Sequence, residues 1–243
     1  MYYYIVELSK ETGGIKFLDK IKNSLSDLGI SGETVVPTAA RTAEELALMG
    51  IDKGYSTIVT IGSGKLINRV ASILQDNHEI TMGIVPTDST SQLHQMIGSK
   101  DIDSAIRILK SHNIQYINLA HIEPSRYFLN KAYIYTPRPI NINFQIDNDY
   151  KGAAIITELN FTSDLKLELE NVVEHSFLDK IKHSFSKSSP KLMKSTFTAK
   201  NRVIITTLKP LPVISEKEII AQTPITLTCK KQVLKIITNH DTI

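Results

Sequence analysis

The residues whose types and spacing could do chemistry begin with Gly62, Ser63, Gly64 and Lys65, in the run TIVTIGSGKLINRVASIL over positions 57–74. An almost wholly apolar, β-branched segment ends there in a small turn and passes directly into a helical pattern. Backbone N–H groups exposed at such a helix start attract an anion, most often phosphate. Glycine lets the anion approach the main chain closely, and Lys65 would add a positive charge. The run is neither a P-loop nor a dinucleotide fingerprint. The first needs a glycine where Val59 stands, and the second needs one where Ile67 stands. Taken alone, the segment fits a phosphate cradle and a plain strand-to-helix turn equally well. A second run, GIVPTDSTSQL over 83–93, gathers Thr87, Asp88, Ser89, Thr90 and Ser91 after another apolar segment. Hydroxyls at the carboxyl end of a parallel strand lie where open α/β sheets take ligands. The same residues also read as an ordinary turn capping a helix that starts at Gln92.

Other chemistry-bearing residues are less telling. Cys229 is the one cysteine, so no internal disulfide forms, and a reducing cytoplasm is expected. It sits in the β-branched run TPITLTC with no candidate base near it in sequence, which reads as a small strand residue rather than a nucleophile. His78, His94, His112, His121, His175, His183 and His240 are scattered without ligand spacing, and no metal site is expected from them. The SEKE run containing Glu216 and Glu218 reads, without further context, as a solvated charge cluster.

The elements that must position these residues fall into two grammars. In the first, strands over Tyr2–Leu8, Glu33–Val36, Ser56–Ile61 and Ile80–Val85 alternate with helical patterns. Ile15, Leu18, Ile21, Leu25 and Leu28 recur at intervals of three and four and predict a helix. Thr42 and Glu45 form a capping-box pattern opening a helix over Ala43–Met49. Helices are also expected over Leu66–Leu74 and Ile102–Leu109. Such alternation predicts a doubly wound parallel sheet. Near residue 120 the pattern changes to strands with little helix: Tyr127–Tyr135, Ile140–Ile146, Ala153–Leu159, Leu165–Leu169, Arg202–Thr207, Glu218–Ile220, Ile225–Thr228 and Val233–Ile237. Asp147-Asn148-Asp149 reads as a hairpin turn. One helical insert is expected over 172–185, and a polar loop over Ser186–Ser195. The expected division is an α/β domain over 1–121 and an antiparallel β-sandwich over 122–243.

Composition narrows the classes. With 28 basic and 25 acidic residues the net charge is +3, too weak for a nucleic-acid footprint. The N-terminal MYYYIVELSKE lacks the basic start and apolar core of a signal peptide, and no apolar run reaches the roughly 20 residues of a spanning helix. A lipid substrate would have to be met at the membrane surface. The Lys-rich stretch 180–194 could touch anionic lipid, although it reads better as a solvated helix end and loop.

In their order, these segments resemble the diacylglycerol-kinase catalytic domain and its lipid-kinase relatives, with NAD kinases sharing the first domain. That family ends one strand in GGDGT, followed by L-N-E-V, and a later one in P-x-G-T-x-N-D. IGSGKLINRV and PTDSTSQ stand in those places here. TAARTAEELA over 38–47 is similar to the family's T-x-x-x-G-D-A-x-x-L-A, with Thr38 on the threonine near the nucleotide. YFLNKAYIY over 127–135 is similar to F-x-N-x-A-S-x-G, with Asn130 in register. KPLPVISEKEIIAQTP is similar to the closing P-V-x-V-D-G-E stretch, with Glu216 on the Asp, Lys217 on the Gly and Glu218 on the Glu.

The resemblance implies a nucleotide cleft between an α/β domain and a β-sandwich, with ATP and Mg²⁺ as cofactors. It further implies a lipid hydroxyl such as that of diacylglycerol as acceptor, and it allows a homodimer. Thr38, Gly62, Ser63, Gly64, Lys65 and Ser89 would face the nucleotide, and Glu216, aided by Glu218, would be the base. The departures fall on the chemistry. Ser63 replaces the acid of GGDGT, Ile61 its first glycine, Lys65 its threonine, and Asn68 the following Glu. A serine cannot stand in for a carboxylate that organises Mg²⁺, because that ion wants hard anionic oxygens. A non-catalytic relative, a pseudokinase that binds nucleotide, lipid or a partner protein, is therefore the alternative expectation.

Overall fold

The computed structural model of the protein describes residues 1–8, 13–111, 113–173 and 191–239. Its first part runs β1 (Tyr2–Val6), α1 (Ile15–Asp27), β2 (Gly32–Val35), α2 (Ala43–Asp52), β3 (Thr57–Gly62), α3 (Gly64–Leu74), β4 (Thr81–Pro86), α4 (Gln92–Ile97), α5 (Ile102–Leu109) and β5 (Ile114–Ile122). Among the described residues the second part is all strand: β6 (Arg126–Phe128), β7 (Lys131–Ile146), β8 (Tyr150–Thr162), β9 (Lys166–Val173), β10 (Lys191–Thr198), β11 (Arg202–Thr207), β12 (Pro212–Ser215), β13 (Glu218–Gln222) and β14 (Ile225–Ile237).

Strands β2, β1, β3 and β4 lie side by side and parallel, as the βα alternation demands. β3 and β4 are almost entirely buried, which explains their continuous apolar runs. The expected capping box is present. Thr42 Oγ1 accepts from Glu45 N at 3.2 Å, and Glu45 Oε2 accepts from Thr42 N at 2.7 Å. The later strands pair antiparallel from β10 through β9, β8, β7 and β11 to β14. Among the described residues, the strands join one mixed 14-stranded sheet.

Two hydrophobic clusters stand on this sheet. One gathers Tyr3, Ile5, Val59, Ile61, Ile67, Val70 and Met82 with the faces of α1 to α5. The other gathers Phe128, Ile134, Leu159, Phe161, Val203 and Leu227. β14 belongs to both. Its beginning pairs with β11, its middle and end pair with β5, and Lys235 and Ile236 pair in parallel with Thr81 and Met82 of β4. Leu234, Ile236 and Ile237 thereby enter the first cluster.

Several sequence expectations change in detail. The two segments read over Tyr127–Tyr135 and Ile140–Ile146 belong to a short β6 and a single long β7, whose register shifts between Tyr135 and Ile140 where Pro137 and Pro139 interrupt the ladder. β5 and β12 were not expected, because Gln115, Asn118 and His121 dilute the apolar signal of the first and the second is only four residues long. Val172 and Val173 end β9 rather than beginning a helix, and the rest of that expected insert, 174–185, lies outside the described residues. Residues 191–195, expected in a polar loop, pair with β9 as part of β10, where Thr, Phe and Met supply strand character on an edge.

Candidate functional site

The turn between β3 and α3 is built as the sequence implies, but it is occupied by the chain itself. Ser63 is the N-cap of α3, with its Oγ accepting from Leu66 N at 3.4 Å. The Ser63 N–H, an amide that could face an anion, donates to Glu7 Oε2 at 2.7 Å. Glu7 is held there because its own N–H continues the β1–β3 ladder onto Ile61 O at 2.8 Å. Gly62 and Gly64 are buried. A Cβ on Gly62 would lie 2.7 Å from Glu7 Cβ, and one on Gly64 would lie 2.3 Å from Glu216 Cβ. Both glycines make room for side chains of this protein, not only for main-chain exposure.

Glu216 comes from the tip of the β12–β13 hairpin. Ser215 pairs with Glu218, so the loop is just Glu216 and Lys217. Both have positive φ, 47° and 67°, as a type I′ turn requires. Neither is glycine, and left-handed backbone in such residues costs about 1 kcal/mol each. The hairpin is anchored behind by Ser215 Oγ donating to Lys131 O at 2.9 Å and by the pairing of Ile214 with Tyr133 of β7.

From this tip three charged side chains reach the two loops expected to carry chemistry. Glu216 Oε2 accepts from Ser91 Oγ at 2.6 Å. Burial pushes the Glu216 carboxyl above the usual range, and nearby Asp88 adds to this. The Ser91 hydroxyl, the Gln92 N–H and Lys217 act in the opposite sense. Lys217 Nζ bonds to Asp88 Oδ2 and, at 2.7 Å, to Thr90 Oγ1. The Lys217 ammonium, with the Thr90 N–H, draws the Asp88 carboxyl down to about 2. Glu218 Oε1 pairs with Lys65 Nζ.

The structure thus brings Gly62, Ser63, Gly64, Lys65, Glu216 and Glu218 together. Thr38 is exposed in the β2–α2 connection, bridged to Arg41. Ser89 is exposed, and Ser91 is the hydroxyl that meets Glu216 while also capping Leu93 N at 3.1 Å. The sequence reading missed Glu7, which only the parallel register of β1 and β3 places at the turn. Asn130 donates from its Nδ2 to Gln92 O at 3.3 Å, and Asn68 Oδ1 accepts from Leu129 N at 3.1 Å. Those two amides tie the first half to the strands beyond β5.

Beside the hairpin lies a polar cavity of about 190 Å³. Lys65, Asn68, Arg69 and Ser72 of α3 line it together with Glu44, with Ser125 of the β5–β6 connection, with Arg126 and Tyr127 of β6 and with the start of β13. Arg69 Nε faces Glu44 Oε1 at 3.6 Å, while the exposed side chain of Arg126 has no hydrogen-bond or ion-pair partner among the described residues. Among the described residues, no group of three or more His, Cys, Asp or Glu side chains is placed to hold a metal ion, and no helix is long and apolar enough to cross a membrane.

An α/β half with a parallel sheet is thus joined to an antiparallel half that sends a hairpin to the βα turns. The solved structures that match this chain have that fold. A diacylglycerol kinase structure from Bacillus anthracis str. Sterne aligns over 100% of this chain and 98% of its own at 13% identity, with a TM-score of 0.73. Another structure from that strain, provisionally assigned as a diacylglycerol kinase, gives 12% identity and a TM-score of 0.76 over the same shares. An NAD kinase from Archaeoglobus fulgidus, solved in complex with ATP, aligns over 100% of this chain and 95% of its own, with 12% identity and a TM-score of 0.55. No protein-family model matches the sequence, and no curated protein does.

ATP with Mg²⁺ is the cofactor expected from the sequence resemblance, and the residues at the Ser63 turn do not fit it as they stand. A polyphosphate needs the free amide and an electropositive approach, whereas here a carboxylate takes the amide and a second one lies against Gly64.

Proposed function

We propose that the protein is a non-phosphorylating member of the lipid-kinase fold, which holds an anionic small molecule in its cleft rather than transferring phosphate to it. The observation that carries this reading is the hairpin tip. Glu216 lies on Gly64, and Glu218 engages Lys65, where a transferred phosphoryl group would need open space and an unpaired cation. Where the family places the acid that organises Mg²⁺ stands Ser63, whose neutral hydroxyl caps α3 and brings no anionic oxygen. In the polar cavity beside the tip, Lys65 and Arg69 already face Glu218 and Glu44, and the exposed Arg126 side chain is the cationic donor left to meet a phosphate or carboxylate.

A second reading, ATP-dependent phosphorylation of a lipid hydroxyl, is favoured by the likeness to the Bacillus anthracis structures. Glu216 would then be the base, its raised pKa suiting that role. The hairpin would have to withdraw first. The two readings part in one assay. The full chain is incubated with labelled ATP, Mg²⁺ and vesicles containing diacylglycerol. No labelled lipid above background is expected, and turnover that disappears in Glu216→Ala would overturn the non-phosphorylating reading.

A further inference from the structure

We infer that Glu7 is a built-in competitor for anions at the Ser63 turn, an inhibitory contact that keeps nucleotide phosphate off the amide the fold would otherwise present. The inference stands apart from whether the cavity at Arg126 takes a ligand.

The register of the parallel sheet makes the contact. Val6 is opposite Ile61, so the next residue of the first chain segment must emerge beside Gly62. Glu7 N bonds to Ile61 O, which fixes its backbone, and its side chain passes over Gly62 to accept from Ser63 N. Gly62 lacks the Cβ that would block that route, since a Cβ there would stand 2.7 Å from Glu7 Cβ and 2.9 Å from Glu7 Oε2. The carboxylate is therefore seated at the amino end of α3, an 11-residue helix whose dipole favours negative charge at that point. A single N–H holds one anion well. With Glu7 in place, an incoming phosphate meets a bonded amide and a like charge together.

The consequence is a competition with a tethered group. A ligand's apparent dissociation constant is its intrinsic value divided by the fraction of molecules in which Glu7 is withdrawn. A charge-assisted hydrogen bond of ordinary strength leaves that fraction at about one-tenth to one-hundredth. Removing Glu7 should then tighten anion binding at the turn by about ten- to hundredfold.

The test uses the full chain and pyrophosphate without metal as the probe, followed by ATP. Binding is read by calorimetry and by the thermal midpoint. Glu7→Gln keeps the hydrogen bond and removes the charge, and Glu7→Ala removes both. Expected affinities rise in the order wild type, Glu7→Gln, Glu7→Ala, and the same order is expected when all three also carry Arg126→Gln, which takes binding in the cavity out of the comparison. Wild-type binding as tight as in both variants would overturn the inference. So would an affinity gain that Arg126→Gln abolishes, because the ligand would then sit in the cavity. Glu7→Gln guards against a folding defect in the alanine variant: if it folds and gains no affinity, Glu7's charge is not what excludes anions. Labelled-phosphate transfer from ATP, measured separately on the wild type, bears on the non-phosphorylating reading and leaves this one untouched.

Discussion

Replacing Gly64 by alanine is expected to destabilise the protein, although helix propensity alone predicts the reverse. Gly64 is the first residue of α3, where alanine would normally gain about 0.5–1 kcal/mol. Its added Cβ, however, would lie 2.3 Å from Glu216 Cβ and 2.4 Å from Glu216 Cγ. Non-bonded carbons prefer roughly 3.5–4.0 Å, so one side must yield by about 1 Å or more. Glu216 cannot swing away at its root, because its Cβ direction is set by backbone in the left-handed region with φ at 47°. The hairpin tip must retreat. The Ser91 bond to the Glu216 carboxylate is then lost, at about 1.5–3 kcal/mol for a hydrogen bond to a charged group. Setting the helix gain against this leaves a net loss of about 1–2 kcal/mol, or a fall in Tm of roughly 2–8 °C for a chain of this size. Urea and thermal unfolding of wild type, Gly64→Ala, Glu216→Gly and the double variant would measure it. In the Glu216→Gly background the alanine should be neutral or stabilising, giving a coupling of about 1.5 kcal/mol or more. A Gly64→Ala protein as stable as wild type would refute the account of the hairpin resting on α3.

Further expectations concern the contacts between the halves. Asn68→Ala leaves the buried Leu129 N–H without its acceptor and should cost about 1–3 kcal/mol, read as a lower urea midpoint with unchanged slope. Asp88 and Glu216 should oppose one another in pH dependence. Asp88, held at about 2 by Lys217 and Thr90, contributes stability above its ordinary 3.8, and that contribution fades as pH falls toward 2. Asp88→Asn should therefore flatten the acid limb between pH 4 and 2, by less than about 1 kcal/mol because the Lys217 pair is solvent-screened. Glu216, raised above 4.5 by burial, favours the fold below that pH and loses this advantage as pH rises through its folded value. Glu216→Gln should gain on wild type more at pH 7 than at pH 4, and an equal difference at both would contradict the burial argument.

How far the sequence led differs between fold and site. The buried runs STIVTI and ITMGIVP marked β3 and β4, since a strand covered on both faces leaves an apolar signature in its own residues. The Thr42 and Glu45 spacing marked the start of α2, because capping is local. Pairing is not local. Nothing within Ile114–Ile122 announces that it will lie against β14, and its polar residues concealed it. At the site, the IGSGK turn was legible as a turn, but its occupant was not. Glu7 is 56 positions from Ser63, and Glu216 is 125 positions from Ser91. Glycines credited with admitting a ligand admit side chains instead, and only three-dimensional placement separates those two uses. Ser89 was favoured over Ser91 by motif position, whereas the helix start at Gln92 decides which hydroxyl faces the hairpin.

The last strand has a consequence for how the molecule is made. Lys235 and Ile236 of β14 pair with β4, and Leu234, Ile236 and Ile237 lie among the apolar side chains of the opening βα units. A nascent chain leaving the ribosome carries those opening units long before their final neighbour exists, with the β4 edge open to the wrong partners. Completion of the earliest-synthesised half waits on some of the latest-synthesised residues, so the halves should melt together and mature together, as one cooperative body rather than as beads added in turn.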